Sequence, residues 1–173
     1  PVLPGGVISR IHVIDLEIEW LRLLHSGGLS CLDVPLLGIV VHPASGNPSG
    51  TLVNALLAFA PELRTLPRGG IVHRLDKDTS GILVVARSSF AHQALSAQLA
   101  NRTVSRAYCA ICFGALTGGG TIDAPVDRHP VSRIKMAVVP GGRRAVTHYR
   151  IAQRFRHFTK LRVDLETGRT HQI

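Results

Sequence analysis

The amino-acid sequence predicts an α/β protein built on a mixed, largely antiparallel sheet, with strands outnumbering helices. Three observations carry that expectation. Short apolar or alternating runs recur at Ile82–Ala86, Ser105–Phe113 and Lys160–Leu165, each of strand length. Tight turn formers such as Gly118-Gly119-Gly120 and Pro140-Gly141-Gly142 interrupt the second half of the chain, which favours antiparallel neighbours. Two segments, after Thr51 and after Ser88, show the apolar spacing of amphipathic helices.

In chain order, residues 1–37 form a segment of little readable pattern. Within it Asp15–Leu24 is predicted to be a short helix with Leu16, Trp20, Leu23 and Leu24 on one side, ended by Gly27-Gly28. Ile39-Val40-Val41 reads as a strand, and His42–Gly50 as a loop dense in turn formers. Thr51 is the cap of a helix reaching Ala60, with Leu52, Val53, Leu56 and Leu57 as its buried face and Pro61 as its stop. Gly50-Thr51 lacks the lysine of a phosphate-binding loop. Ser88 or Ser89 caps a second helix to about Asn101, with Phe90, Ala91, Ala94, Leu95 and Leu99 as its apolar side.

The strand Ser105–Phe113, closed by Gly114, puts Arg106, Tyr108 and Ala110 on one face and Ala107, Cys109 and Ile111 on the other. Arg128–Lys135 is a basic loop, and Lys135–Val139 with Ala145–Ile151 makes a hairpin about Pro140-Gly141-Gly142. With 173 residues the chain is long enough for one domain with a real core.

Twenty Lys and Arg against eleven acids give a formal net charge of +9. An excess of that size favours a polyanionic partner, without separating RNA from DNA or an acidic lipid surface. No apolar run approaches the roughly 18 residues of a membrane span, and Pro1–Ser9 lacks the features of a secretory signal. Three cysteines without framework spacing fit a reducing compartment. A soluble cytoplasmic protein is the expectation, with a monomer as the default state. The missing initiator Met suggests a fragment.

Chemistry concentrates between Gly70 and Gly81, where His73, Arg74, Asp76, Lys77 and Asp78 fall within six residues just before the Ile82–Ala86 run. Functional groups are often carried on a loop anchored to a buried strand. An ordinary polar turn, with Asp76 or Asp78 capping backbone amides, is the competing reading. If the segment were extended, Asp76 and Asp78 would share a face and could work as an acid and base; in a turn nothing follows. Asp76 stands close to Arg74 in sequence. A cationic neighbour keeps a carboxylate ionised, which suits a nucleophile better than an acid. Cys109 and Cys112 would point to opposite faces of a strand, so no metal site is expected. The loop Arg128–Lys135 is a candidate phosphate contact.

The string HRLDKDTSG at 73–81 resembles the signature of the RluA/RluD-type pseudouridine synthases, which isomerise uridine in RNA. The blocks at 38–57, 67–88, 102–114, 118–138, 144–155 and 161–173 follow that family's order, ending in LRVDLETGRTHQI. The resemblance implies a pseudouridine synthase core over residues 38–173, incomplete at the C-terminal end because the family continues past GRTHQI. It implies Asp76 as the catalytic carboxylate, Tyr108 as a catalytic residue that stacks on uracil and takes the C5 proton, and Arg169 as a catalytic basic group serving the same site. It also implies RNA contacts by His73, Arg74, Thr79, Arg106, Arg128, Lys135 and His171, no cofactor and no metal. Ribosomal RNA of the large subunit is the expected substrate and transfer RNA the second. The alternative is a truncated relative that binds RNA without reacting. Two departures are expected: of the family's Lys-Pro-x-Gly element only Gly38 is kept, and residues 1–37 fall outside the resemblance.

Overall fold

The computed structural model describes residues 8–17, 29–34, 40–44, 46–76 and 79–173. The chain divides into two compact units, one of Leu16–Val104 and one of Pro1–Asp15 with Ser105–Ile173. Each is taken separately.

In the Leu16–Val104 unit, strand β2 (Leu29–Val34) pairs antiparallel with β3 (Thr79–Ala86), from Leu29 opposite Ala86 to Val34 opposite Gly81. The sequence offered no signal for β2. Leu83, Val84, Val85 and Ala86 are all buried. Burial on both faces is why β3 reads as a continuous apolar run rather than an alternation. Helix α1 (Leu52–Phe59) opens with a capping box, in which the Thr51 side chain accepts from the Asn54 amide and the Asn54 side chain accepts from the Thr51 amide. Such a cap contributes about 1 kcal/mol.

The predicted strand at Val40-Val41 does not form. The carbonyls of Val40 and Val41 accept from the Leu52 and Val53 amides at 2.9 and 3.1 Å, so they serve the open end of α1 instead of a ladder. Two 3₁₀ helices follow, Pro61–Thr65 and Pro67–Gly70. Helix α2 (Ser89–Asn101) is capped by the Ser88 hydroxyl, which accepts from the Ala91 amide. Its buried stripe is Ala91, Leu95 and Gln98. Ala91 and Leu95 pack on Val84 and Ala86. Phe90, expected inside, is 63% exposed because it lies one residue, about 100°, off that stripe.

The other unit holds β1 (Ile8–Glu17) as far as Asp15, β4 (Ser105–Phe113), β5 (Gly120–Arg128), β6 (Met136–Val138), β7 (Arg143–Arg154) and β8 (Phe158–Leu165). Asp15, Leu16 and Glu17, assigned to a helix from sequence, belong to β1, whose Ile8, Ile11, Val13 and Ile14 favour extended backbone. The rest of that predicted helix lies outside the described residues. Across the sheet the order is β1-β4-β8-β7-β5-β6. The pairs from β4 onward are all antiparallel, as expected from the short turns.

The hairpin predicted around Pro140-Gly142 is different. The three residues of β6 pair with Val126–Arg128 of β5, and β5 lies between β6 and β7. A turn motif marks a local reversal but does not choose the strand that receives the ladder. Here β5 serves both neighbours, and Gly142 passes so close to Pro125 and Val126 that a Cβ would sit 3.0–3.1 Å from their backbone. The core of this unit is Ala110, Cys112, Leu161 and Val163, with Tyr108, Tyr149 and Ile151 against it.

Candidate active site

The Gly70–Asp76 segment is fastened to β3 at Ile71 and His73, with Gly70 in close approach to the same strand. Arg68, Gly69 and Gly70 all have positive φ, at 53°, 61° and 80°, which turns the chain back along the strand. A Cβ on Gly70 would run into the Ala86 carbonyl oxygen. Only glycine suits both the φ and the approach. Ile71, buried, forms an antiparallel bridge with Val85. His73 Nε2 then accepts the Val84 amide hydrogen at 3.0 Å. That nitrogen is an acceptor, so the ring proton belongs on Nδ1.

Leu75 is buried and Arg74 is exposed between its two inward neighbours. Asp76 is partly buried, and its carbonyl accepts from the amide of Thr79, the first residue of β3, at 2.9 Å. Lys77 and Asp78 lie outside the described residues, and with them the paired-carboxylate reading. His42 belongs to the same unit. Burial, and then the positive charges of Arg68 and Arg74, lower its pKa from the ordinary 6.5. The segment thus carries a local positive field.

In the other unit, Arg106 and Tyr108 stand two residues apart on β4, Tyr108 opposite Val163 of β8. Its ring lies partly exposed against the core formed with Leu161 and Val163. The turn after β8 is organised by two buried polar side chains, Thr167 (1% exposed) and Gln172 (3%). The Thr167 hydroxyl accepts from the Val146 amide at 2.8 Å and donates to Gln172 Oε1 at 2.9 Å. Gln172 Oε1 also accepts from the Arg169 amide, and Gln172 Nε2 donates to the Val146 carbonyl and the Thr147 hydroxyl. Every polar atom of that carboxamide is in use, as burial requires.

Thr167 and Gln172 stand in the TGRTHQ string, but nothing in the sequence records their burial. Arg169 Nε donates to the Arg144 carbonyl at 3.0 Å, so its stem is tied to β7. His171 is exposed at φ 52°. Gly168 lies against the Arg106 guanidinium.

Arg128 and Lys135 are placed elsewhere in this unit, at the β5–β6 turn. From β4 to β5 the order crosses β8 and β7, which is about 14 Å at ordinary strand spacing. The loop is built rather than loose. His129 Nδ1 accepts from the Val131 and Ser132 amides at 3.2 and 3.0 Å, and the Arg128 guanidinium donates to the Arg133 carbonyl at 2.8 Å. It presents Lys135 and Arg133 to solvent beside Val131 and Ile134, which are 88% and 82% exposed. Arg144, by contrast, is held by Asp123 and Glu166 at 3.0 and 2.9 Å, and these carboxylates raise its pKa. Cys109 and Cys112 sit on opposite faces of β4; Cys112 is buried, with its sulfur 3.5 Å from the Thr159 carbonyl oxygen.

The model of the RNA pseudouridylate synthase family matches residues 37–173. The chain belongs to that family. Among curated relatives in the synthase family, "Ribosomal large subunit pseudouridine synthase D" of Xanthomonas campestris pv. campestris is 62% identical over 165 residues, covering 95% of this chain and 50% of the relative. The protein of the same name from Pseudomonas aeruginosa is 61% identical, over 92% of this chain and 48% of its own. That from Escherichia coli is 55% identical, over 78% and 41%. The chain therefore spans about half the length of the relatives it matches.

The solved structure of human RNA pseudouridylate synthase domain containing 4 is similar with a TM-score of 0.63 at 25% identity, over 84% of this chain and 58% of that one. Human RNA pseudouridylate synthase domain containing 1 gives 0.61 at 22%, over 83% and 62%, which speaks to the fold alone. The α/β fold with a largely antiparallel sheet is that of synthase-family domains.

Proposed function

We propose that this chain carries the catalytic chemistry of an RNA pseudouridine synthase acting on large-subunit ribosomal RNA in the cytoplasm, with Asp76 as its nucleophile. The observation that carries the reading is the attachment of Ile71 and His73 to β3, with Gly70 packed close against it, in a chain that matches the synthase family. A reacting carboxylate needs a backbone that does not drift, because effective concentration falls quickly with misplacement.

Uridine leaves its stack before its glycosidic bond is within reach, at a cost of a few kcal/mol that contacts to the RNA offset. Tyr108 offers a ring face for the extruded base. Arg74, Thr79, Arg106, Arg128, Lys135 and His171 are assigned to the RNA, and Arg169 to the reaction as the basic group of its motif. Two routes fit Asp76, attack on C6 of the base or on C1′ of the ribose. On either, the N1–C1′ bond breaks, the uracil turns, C5 bonds to C1′, the bond to Asp76 breaks to restore its carboxylate, C5 loses its proton and N1 gains one. The isomerisation is redox-neutral and moves no group from outside, so it calls for neither cofactor nor metal.

The test is release of tritium from C5-labelled uridine in a large-subunit ribosomal transcript incubated with the protein. Conversion by the wild type and none by Asp76→Asn, with RNA affinity within a few-fold, supports the reading. RNA binding without release by the wild type would mean a non-reacting RNA-binding protein. Normal turnover by Asp76→Asn removes the nucleophile assignment.

A further inference from the structure

We propose that Arg106 is the residue that grips the phosphate of the target nucleotide, and that Gly168 is glycine in order to let it. The inference rests on the reading of this unit as an RNA-binding surface and adds a specific contact to it.

Arg106 projects from the same face of β4 as Tyr108, roughly 7 Å from it along the strand. That is about the width of the ribose that separates a base from its own phosphate. Its Nε is buried and has no hydrogen-bond partner. Arg87, Arg144, Arg150 and Arg162 each pair with a carboxylate, whereas no such pair forms at Arg106 among the described residues.

The guanidinium is nonetheless held in place. It lies so close over Gly168 that a Cβ there would strike its Nη1 and stand 3.0 and 3.1 Å from Cζ and Nη2. Gly168 has no positive φ to explain it. The missing side chain makes room for the cation. A positioned, unneutralised guanidinium with a buried donor lacking an acceptor is suited to an arriving oxyanion. Its planar fork matches two phosphate oxygens at once.

The experiment measures binding of a short oligouridylate across a salt series, together with kcat and KM on the ribosomal transcript. For Arg106→Gln the slope of log affinity against log salt is expected to fall by about 0.7, the value for one phosphate contact on a single strand. KM should rise tenfold or more, with kcat changed less than threefold. Gly168→Ala keeps every charge and should raise KM in the same way by displacing the guanidinium. Arg106→Lys keeps the salt slope while losing the fork, and it serves as the control for folding. An unchanged slope in Arg106→Gln overturns the proposal; paired with a fall in kcat, it would mean that Arg106 serves a protein carboxylate instead. Oligouridylate binding needs no turnover, so a wild type that fails to isomerise uridine removes the enzymatic reading and leaves this measurement standing.

Discussion

His73 Nε2 and the amide of Val84 form a 3.0 Å hydrogen bond that fastens the residue three positions before Asp76 to the buried strand β3. The resemblance places His73 among RNA contacts. The bond gives this nitrogen a different task, holding the loop that bears Asp76. His73→Phe fills the space without the acceptor and leaves the Val84 amide unpaired, at a cost of about 1–3 kcal/mol. Urea denaturation should read that loss, and kcat should drop about tenfold while RNA affinity stays within twofold. Weakened RNA binding with kcat intact would return His73 to the RNA.

Gly70→Ala is expected to be the most damaging of the glycine substitutions. The new methyl group meets the Ala86 carbonyl oxygen at a φ of 80°, where two penalties add. A destabilisation of about 3 kcal/mol or more, with no conversion of uridine, is the expected result. Gly118→Ala, which meets nothing within 4 Å and has no positive φ, should stay within about 0.5 kcal/mol and so calibrates the comparison.

Gln172→Leu removes four hydrogen bonds from the turn after β8 and strands the Arg169 amide, while the Val146 carbonyl keeps the Glu166 amide as its donor. A loss of about 2–4 kcal/mol in chemical denaturation is expected. Thr167→Val and Gln172→Leu together should cost clearly less than their separate sum, because they share one bond. Strict additivity would show that the two side chains do not act as a unit.

His42 offers a pH-dependent readout of the Arg74 side. Its folded pKa lies below 6.5, through burial first and the charges of Arg68 and Arg74 next. The unfolded chain therefore binds the proton more readily, so stability rises with pH across the window below 6.5 and is lost on acidification. Arg74→Ala should move the NMR titration of His42 upward, toward the ordinary value. Bound RNA, bringing phosphate near the same cations, should also raise it, so binding should take up a proton. A titration unmoved by Arg74→Ala would separate His42 from that field.

Composition and local order were enough to predict both helices and the strands β3, β4 and β8, and to favour a polyanionic partner. Charge excess, cap residues and apolar period are properties of neighbouring residues, and Thr51, Ser88 and the Ile82–Ala86 run act where they stand. The synthase motifs were equally legible because their residue types and spacing are local. What each motif residue touches was decided by the tertiary structure. His73 meets Val84 across eleven positions, Gln172 meets Val146 across twenty-six, and Gly168 meets Arg106 only after β8 has paired with β4. The exchange of a predicted β6–β7 hairpin for two ladders on β5 has the same origin. Hydrogen bonds and close approaches between residues distant in the chain depend on which strands become neighbours, and no short window of sequence records that choice.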